Sequence, residues 1–225
     1  MNDVSHGTTI QAAGAPLAEA KGALILLHGR GATAASILDL AHYLAQPGLA
    51  FLAPQAAGNT WYPYSFLAPL GDNEPYLSAA LRAVAETAAR AAAAGIPERR
   101  LFFGGFSQGA CLAAEYMARH ARRYGGLLLF SGGLIGPPGT PRDYGGGFDG
   151  MPVFLGCSDV DPHIPLARVE ETAAVLGGLG ARVDQRIYPR LGHTINEDEI
   201  AAAAQLLAGA LGSGAAPSGG DVLAE

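Results

Sequence analysis

The chain has 225 residues, 49% of them apolar, and a formal net charge of −6 with Lys21 as its only lysine. That length and apolar content suit one α/β domain with a sizeable core. An acidic balance without any Lys/Arg run argues against a nucleic-acid surface and against docking on an anionic membrane.

The opening MNDVSHGTTIQ lacks a basic segment followed by an apolar core, so no secretory leader is expected. No apolar run reaches the roughly 18 residues of a spanning helix. The expectation is a cytoplasmic protein. The two cysteines, Cys111 and Cys157, have no zinc-type spacing. Both read first as small buried hydrophobes, and nothing in the sequence asks for a disulfide between them.

In chain order, residues 8–13 read as an edge strand. Residues 21–28 (KGALILLH) form a continuous apolar run ending in Gly29. Residues 34–46 place Ile37, Leu38, Ala41, Tyr43 and Leu44 near a helical period and stop at Pro47-Gly48. Residues 49–53 are a short strand closed by Pro54. An Ala-rich helix spans 78–94 and breaks at Gly95 and Pro97. A strand at 101–104 precedes a helix at 110–123. Strands follow at 126–130, 153–155 and 183–188, with helices at 166–176 and 200–211. Buried-type strands alternating with helices indicate a mostly parallel central sheet with helices on both faces. One α/β domain is expected over 1–211, without a separate lid domain. The Gly/Ser/Pro-rich 212–225 (GSGAAPSGGDVLAE) is expected to be a flexible tail.

Between the strand at 101–104 and the helix at 110–123 lies Gly105-Phe106-Ser107-Gln108-Gly109, a Gly-x-Ser-x-Gly motif. Alone it is weak in a chain with 32 glycines. Its strand–turn–helix setting makes it a nucleophile elbow, with the serine hydroxyl pushed out of the sheet. A serine needs a base, and the base needs an orienting carboxylate. In this setting the partners follow in the order Ser, Asp or Glu, His, on loops after later strands. After the strand at 153–155 come Asp159 and Asp161, which compete for the carboxylate role. Asp161 is favoured because Pro162 fixes the turn after it, leaving Asp159 to brace the loop. After the last strand, His193 follows Gly192 and precedes the final helix, where the base belongs. Among the other histidines, His6 reads as tail, His42 and His120 as helix surface, and His163 as pocket lining. The oxyanion needs two preorganised donors. The backbone N–H of Gln108 is one candidate and that of Arg30, in His28-Gly29-Arg30-Gly31-Ala32, is the other; an ordinary Gly-rich turn is the competing reading. Trp61, Tyr62 and Phe66 either form a pocket wall or merely pack on the core. Leu134 and Ile164 are further wall candidates. No metal or organic cofactor is called for.

Five segments, LILLHGRGA (24–32), FLAPQA (51–56), GGFSQGA (104–110), SDVDPHIP (158–165) and GHTI (192–195), resemble the phospholipase/carboxylesterase family of α/β-hydrolases, which includes acyl-protein thioesterases. They keep the family's order over nearly the whole chain. The resemblance implies the α/β-hydrolase fold, Ser107, Asp161 and His193 as the triad, and the Arg30 and Gln108 amides as the oxyanion hole. It also makes a homodimer plausible. The chain departs from the thioesterase branch, which usually has an apolar residue at Arg30 and Asp at Ala32. GHTINEDEI looks more like the bacterial carboxylesterase branch. The expected activity is hydrolysis of short- to medium-chain carboxylic esters through an acyl-enzyme. Thioester or lysophospholipid hydrolysis by the same triad is the alternative. A non-catalytic binding module is disfavoured because every catalytic position is filled.

Overall fold

A computed structural model describes residues 5–212. Seven strands form one sheet in the order β1-β3-β2-β4-β5-β6-β7. They are β1 (Ile10–Gly14), β2 (Gly22–Leu27), β3 (Leu49–Pro54), β4 (Leu101–Phe106), β5 (Gly126–Phe130), β6 (Pro152–Ser158) and β7 (Arg182–Tyr188). Only β1 is antiparallel; it adds to the edge of β3 with Ile10 opposite Pro54. The helices are α1 (Ala34–Ile37), α2 (Ala41–Leu44), α3 (Tyr76–Ala93), α4 (Gln108–Arg119), α5 (Leu166–Gly178) and α6 (Glu197–Gly212). This is the α/β-hydrolase fold.

Side chains alternate across each strand, so each continuous apolar run feeds two cores at once. In β2, Ala23, Ile25 and Leu27 enter the core that also takes residues of α3, α4 and α5. Leu24 and Leu26 enter the opposite core, shared with residues of α1, α2 and α6. Phe103 and Phe102 divide in the same way on β4.

Several element bounds differ from those expected. The strand expected at 101–104 continues through Gly105 to Phe106. Glycines normally weaken strands, but here a Cβ on Gly104 would meet Leu128 and one on Gly105 would meet the Leu27 carbonyl oxygen at 2.6 Å. The helix expected over 34–46 is two single turns, α1 and α2, joined by a 3-10 step at Leu38–Leu40. The helix expected over 110–123 ends at Arg119, where His120 leaves helical dihedrals at φ −124° and ψ 40°. The tail expected over 212–225 lies outside the described residues, except Gly212, which ends α6.

Because β2 and β4 to β7 run parallel, the loops after β2, β4, β6 and β7 leave from one edge of the sheet. That edge is where open α/β sheets assemble their sites.

Candidate active site

Ser107 sits at the bend between β4 and α4 with φ 56° and ψ −121°. This positive φ is strained for a residue with a side chain, and such strain gathers at functional positions. The turn is locked from both sides. The Ser107 N–H donates to the Phe130 carbonyl (3.0 Å) and its carbonyl accepts from Cys111 N–H (2.9 Å). A Cβ on Gly109 would overlap the Leu27 carbonyl oxygen, so α4 approaches β2 as closely as a backbone allows. These contacts leave the Ser107 hydroxyl as the group presented at the sheet edge.

Three side chains from distant segments meet there. Ser107 Oγ lies 2.9 Å from His193 Nε2, and His193 Nδ1 lies 2.7 Å from Asp161 Oδ2. An ionised Asp161 only accepts, so Nδ1 carries the proton and Nε2 accepts from the hydroxyl. The Asp161 side chain is fully buried. Burial alone would raise its pKa, but hydrogen bonds from His193 and from the His163 and Ile164 N–H groups outweigh it and hold the carboxyl below its usual range. Its Oδ1 accepts those two N–H groups at 2.8 and 3.0 Å.

The loops carrying Asp161 and His193 are stitched to each other. Asp159 Oδ1 accepts from Arg190 N–H (2.7 Å), and Ser158 Oγ accepts from Gly192 N–H (3.0 Å). Asp159 therefore bonds the backbone of the opposite loop, while Asp161 takes the imidazole. The His193 ring rests on Phe106 at 4.8 Å between centroids, and His163 meets it edge-on at 4.8 Å. Just beyond, Asn196 and Glu199 cap α6 reciprocally, each side chain accepting the other's N–H at 2.9 Å. Glu199 is buried, which pushes its carboxyl up to about 7.

Of the two expected oxyanion donors, Gln108 N–H lies in the first turn of α4, where no intrahelical acceptor exists. Arg30 follows Gly29 in the loop after β2, with its neighbours' amides already used: Gly31 N–H donates to Asn59 O (2.7 Å) and Ala32 N–H to Gly29 O (3.2 Å).

A cavity of about 760 Å³ opens at this point. Ser107, His193, Arg30, Tyr62, Phe66, Phe106, His163 and Ile164 line it. Two expected wall residues do not. Trp61 is completely buried beneath the loop; its indole N–H donates to the His28 carbonyl (2.9 Å) and its ring packs on His28 at 5.0 Å. Leu134 is drawn into the core because α5 claims its backbone: its N–H donates to Thr172 Oγ1 (3.0 Å) and its carbonyl accepts from Arg168 Nη1 (2.6 Å). Tyr62, Phe66 and Ile164 border the cavity, although the Tyr62 side chain is itself fully buried.

Some contributors are not visible in the sequence reading. The Gln108 side chain is buried and fixes the wall loop, accepting from Trp61 N–H (3.0 Å) and donating to the Tyr62 carbonyl (2.9 Å). His6, read as tail, is buried against Trp61, and its Nδ1 accepts from Ala57 N–H (3.0 Å). Cys157 points its thiol at Asp161 Oδ2 over 3.7 Å. Burial raises this thiol to about 12, so it stays protonated and donates. Cys111 and Cys157 are both free. The Asn196-x-x-Glu199 spacing is a capping-box signal that the sequence did carry.

The chain matches the Phospholipase/Carboxylesterase family over residues 9–210. A phospholipase/carboxylesterase from Dyadobacter fermentans superposes with a TM-score of 0.87 and 45% identity, covering 90% of this chain and 97% of its own. The acyl-protein thioesterase 1 of Eremothecium gossypii is 30% identical over 205 residues, 79% of this chain and 83% of that protein. The Bacillus cereus carboxylesterase shares the fold at a TM-score of 0.70 and 22% identity, over 90% of this chain and 95% of its own. Among the described residues no helix is long and apolar enough to cross a membrane. With this fold and the matched residues 9–210, the chain belongs to the Phospholipase/Carboxylesterase family of α/β-hydrolases and is a carboxylic ester hydrolase of the serine hydrolase class.

Proposed function

We propose that this enzyme hydrolyses short- to medium-chain carboxylic esters through Ser107, His193 and Asp161. The observation that carries the reading is the unbroken contact from Ser107 Oγ to His193 (2.9 Å) and on to Asp161 (2.7 Å). Ser107 attacks the ester carbonyl while His193 Nε2 takes its proton. Asp161 holds the Nδ1–H tautomer and stabilises the imidazolium. The Arg30 and Gln108 amides receive the oxyanion. His193 then protonates the leaving alcohol, and water repeats the cycle on the acyl-enzyme. Phe66 and Ile164 supply the apolar lining for the acyl or alcohol group, with the buried Tyr62 bordering the same cavity. A cytoplasmic location accompanies this reading.

The test is a chain-length series of p-nitrophenyl esters with the wild type and Ser107→Ala. Turnover by the wild type that the variant lacks is expected; equal turnover by both refutes the mechanism. A second reading is thioester hydrolysis, favoured by the identity with the Eremothecium gossypii acyl-protein thioesterase 1. Comparing kcat/KM between an ester and the thioester of the same acyl chain separates the two.

A further inference from the structure

Arg30 contributes more than a backbone amide. Arg30 lines the same cavity as Ser107 and His193, its guanidinium bonds to residues of the wall loop, and no Asp or Glu lines that cavity among the described residues. This is unexpected in a chain of net charge −6. The cation is held in place. Nη1 donates to Thr60 Oγ1 (3.0 Å) and the Pro63 carbonyl (2.9 Å), and Nη2 donates to the Tyr64 carbonyl (2.6 Å). It also lies 5.9 Å from the Tyr62 ring centroid. Thr60 in turn contacts Gln108 Oε1 (3.3 Å), so the guanidinium is coupled to the residue after Ser107.

Every one of these partners is neutral. They fix the position of the charge without cancelling it, and a guanidinium has five N–H donors, so two remain after these three bonds. Arg30 is solvent-exposed, so these bonds hold an exposed charge in one place at the mouth of the cavity. A cation preorganised at the rim of a partly enclosed site favours an anion there more strongly than one moving freely in water.

We infer that Arg30 selects ester substrates carrying an anionic group, a carboxylate or a phosphate, on the part of the molecule that extends from the scissile bond toward the wall loop. The inference rests on the ester hydrolase reading above and adds a substrate class to it.

The test compares charged and uncharged partners of matched size. One arm uses the mono-p-nitrophenyl ester of adipic acid and its methyl ester, which place or remove a carboxylate on the acyl side. The other uses a 1-acylglycerol 3-phosphate and the corresponding monoacylglycerol, which place or remove a phosphate on the alcohol side. In at least one arm, the wild-type ratio of kcat/KM, anionic over neutral, is expected to exceed one. Arg30→Gln should lower that ratio roughly tenfold, about the effect of one charge-assisted contact. Arg30→Lys should keep a substantial part of it. Each variant's own neutral substrate is the reference, so loosening of the wall loop cancels from the ratio. Should Arg30→Gln not fold, the wild type decides: raising salt from about 0.01 M to about 1 M shrinks the screening length from about 30 Å to about 3 Å and should lower the ratio. A ratio at or below one in both arms, or one that neither charge removal nor salt moves, overturns the inference and leaves the hydrolase reading standing. Absence of hydrolysis of all four esters refutes the hydrolase reading itself.

Discussion

The two sides of the site are built by different physics. On one side Ser107 is fixed by backbone shape and close packing. Glycines at 105 and 109 let α4 press against β2, and the bend holds φ at 56°. On the other side Asp161 and His193 are fixed by polar side chains. Asp159 and Ser158 reach across to the backbone of the opposite loop, and Asn196 with Glu199 seats the helix that follows. A steric side tolerates no added atoms, whereas a hydrogen-bonded side can lose one member and weaken by degrees.

The largest expected effect tests whether both sides serve one reaction. Ser107→Ala should lower turnover about 10⁴-fold or more with an unchanged circular dichroism spectrum. Asp161→Asn should cost about 10⁴-fold by disfavouring the reactive tautomer. Asp159→Ala should cost far less, because it removes one brace and no part of the proton path. If Asp159→Ala proves the more damaging of the two, their roles are exchanged.

Gly109→Ala probes the steric side directly. The methyl group would overlap the Leu27 carbonyl oxygen, and overpacking of this kind costs about 1–3 kcal/mol, readable as a lower urea midpoint. A variant as stable as the wild type would mean that α4 has room to move.

A pH experiment probes the hydrogen-bonded side. Glu199 has its carboxyl raised from an ordinary 4.5 to about 7 by burial, reinforced by Asp198 and opposed by the Asn196 N–H. The folded state therefore binds this proton more tightly than the unfolded chain does. Its contribution to stability is full below the unfolded pKa and is lost as pH rises through about 7. Glu199→Gln should flatten the fall in Tm over that interval; an unaltered slope would assign the fall to other groups. Asp161 behaves oppositely: its lowered carboxyl stabilises the fold above the unfolded pKa, and that contribution disappears as pH drops through the folded one.

The smallest effect concerns Cys157. A weak thiol donor to Asp161 contributes little, so Cys157→Ala should change kcat less than about tenfold. A larger loss would add the thiol to the groups that position the carboxylate.

How much was legible follows the same division. The strand–turn–helix around Ser107 is written in local sequence, because close approach demands glycine and burial demands apolar runs. The positions of Asp161 and His193 were readable from their order after later strands. What the polar side chains hold was not readable: Asp159 could be assigned to bracing, but its contact with Arg190 depends on two loops meeting. Trp61 and Tyr62 are adjacent aromatic residues, and nothing local signals that both side chains are buried with only Tyr62 bordering the cavity. Gln108 binds the backbone of both residues, and the Trp61 indole is held under the loop by its bond to the His28 carbonyl. The sequence offers Arg30 only as a candidate oxyanion amide, whereas the anchoring of its side chain by Thr60, Pro63 and Tyr64 required the fold.

The inward turn of Trp61 gives the molecule an internal optical probe. It is the chain's one tryptophan, so all indole emission comes from a ring sealed between two imidazoles directly under the substrate wall. Any event that lifts that wall hydrates the ring and moves its fluorescence to longer wavelength, before the rest of the protein need respond.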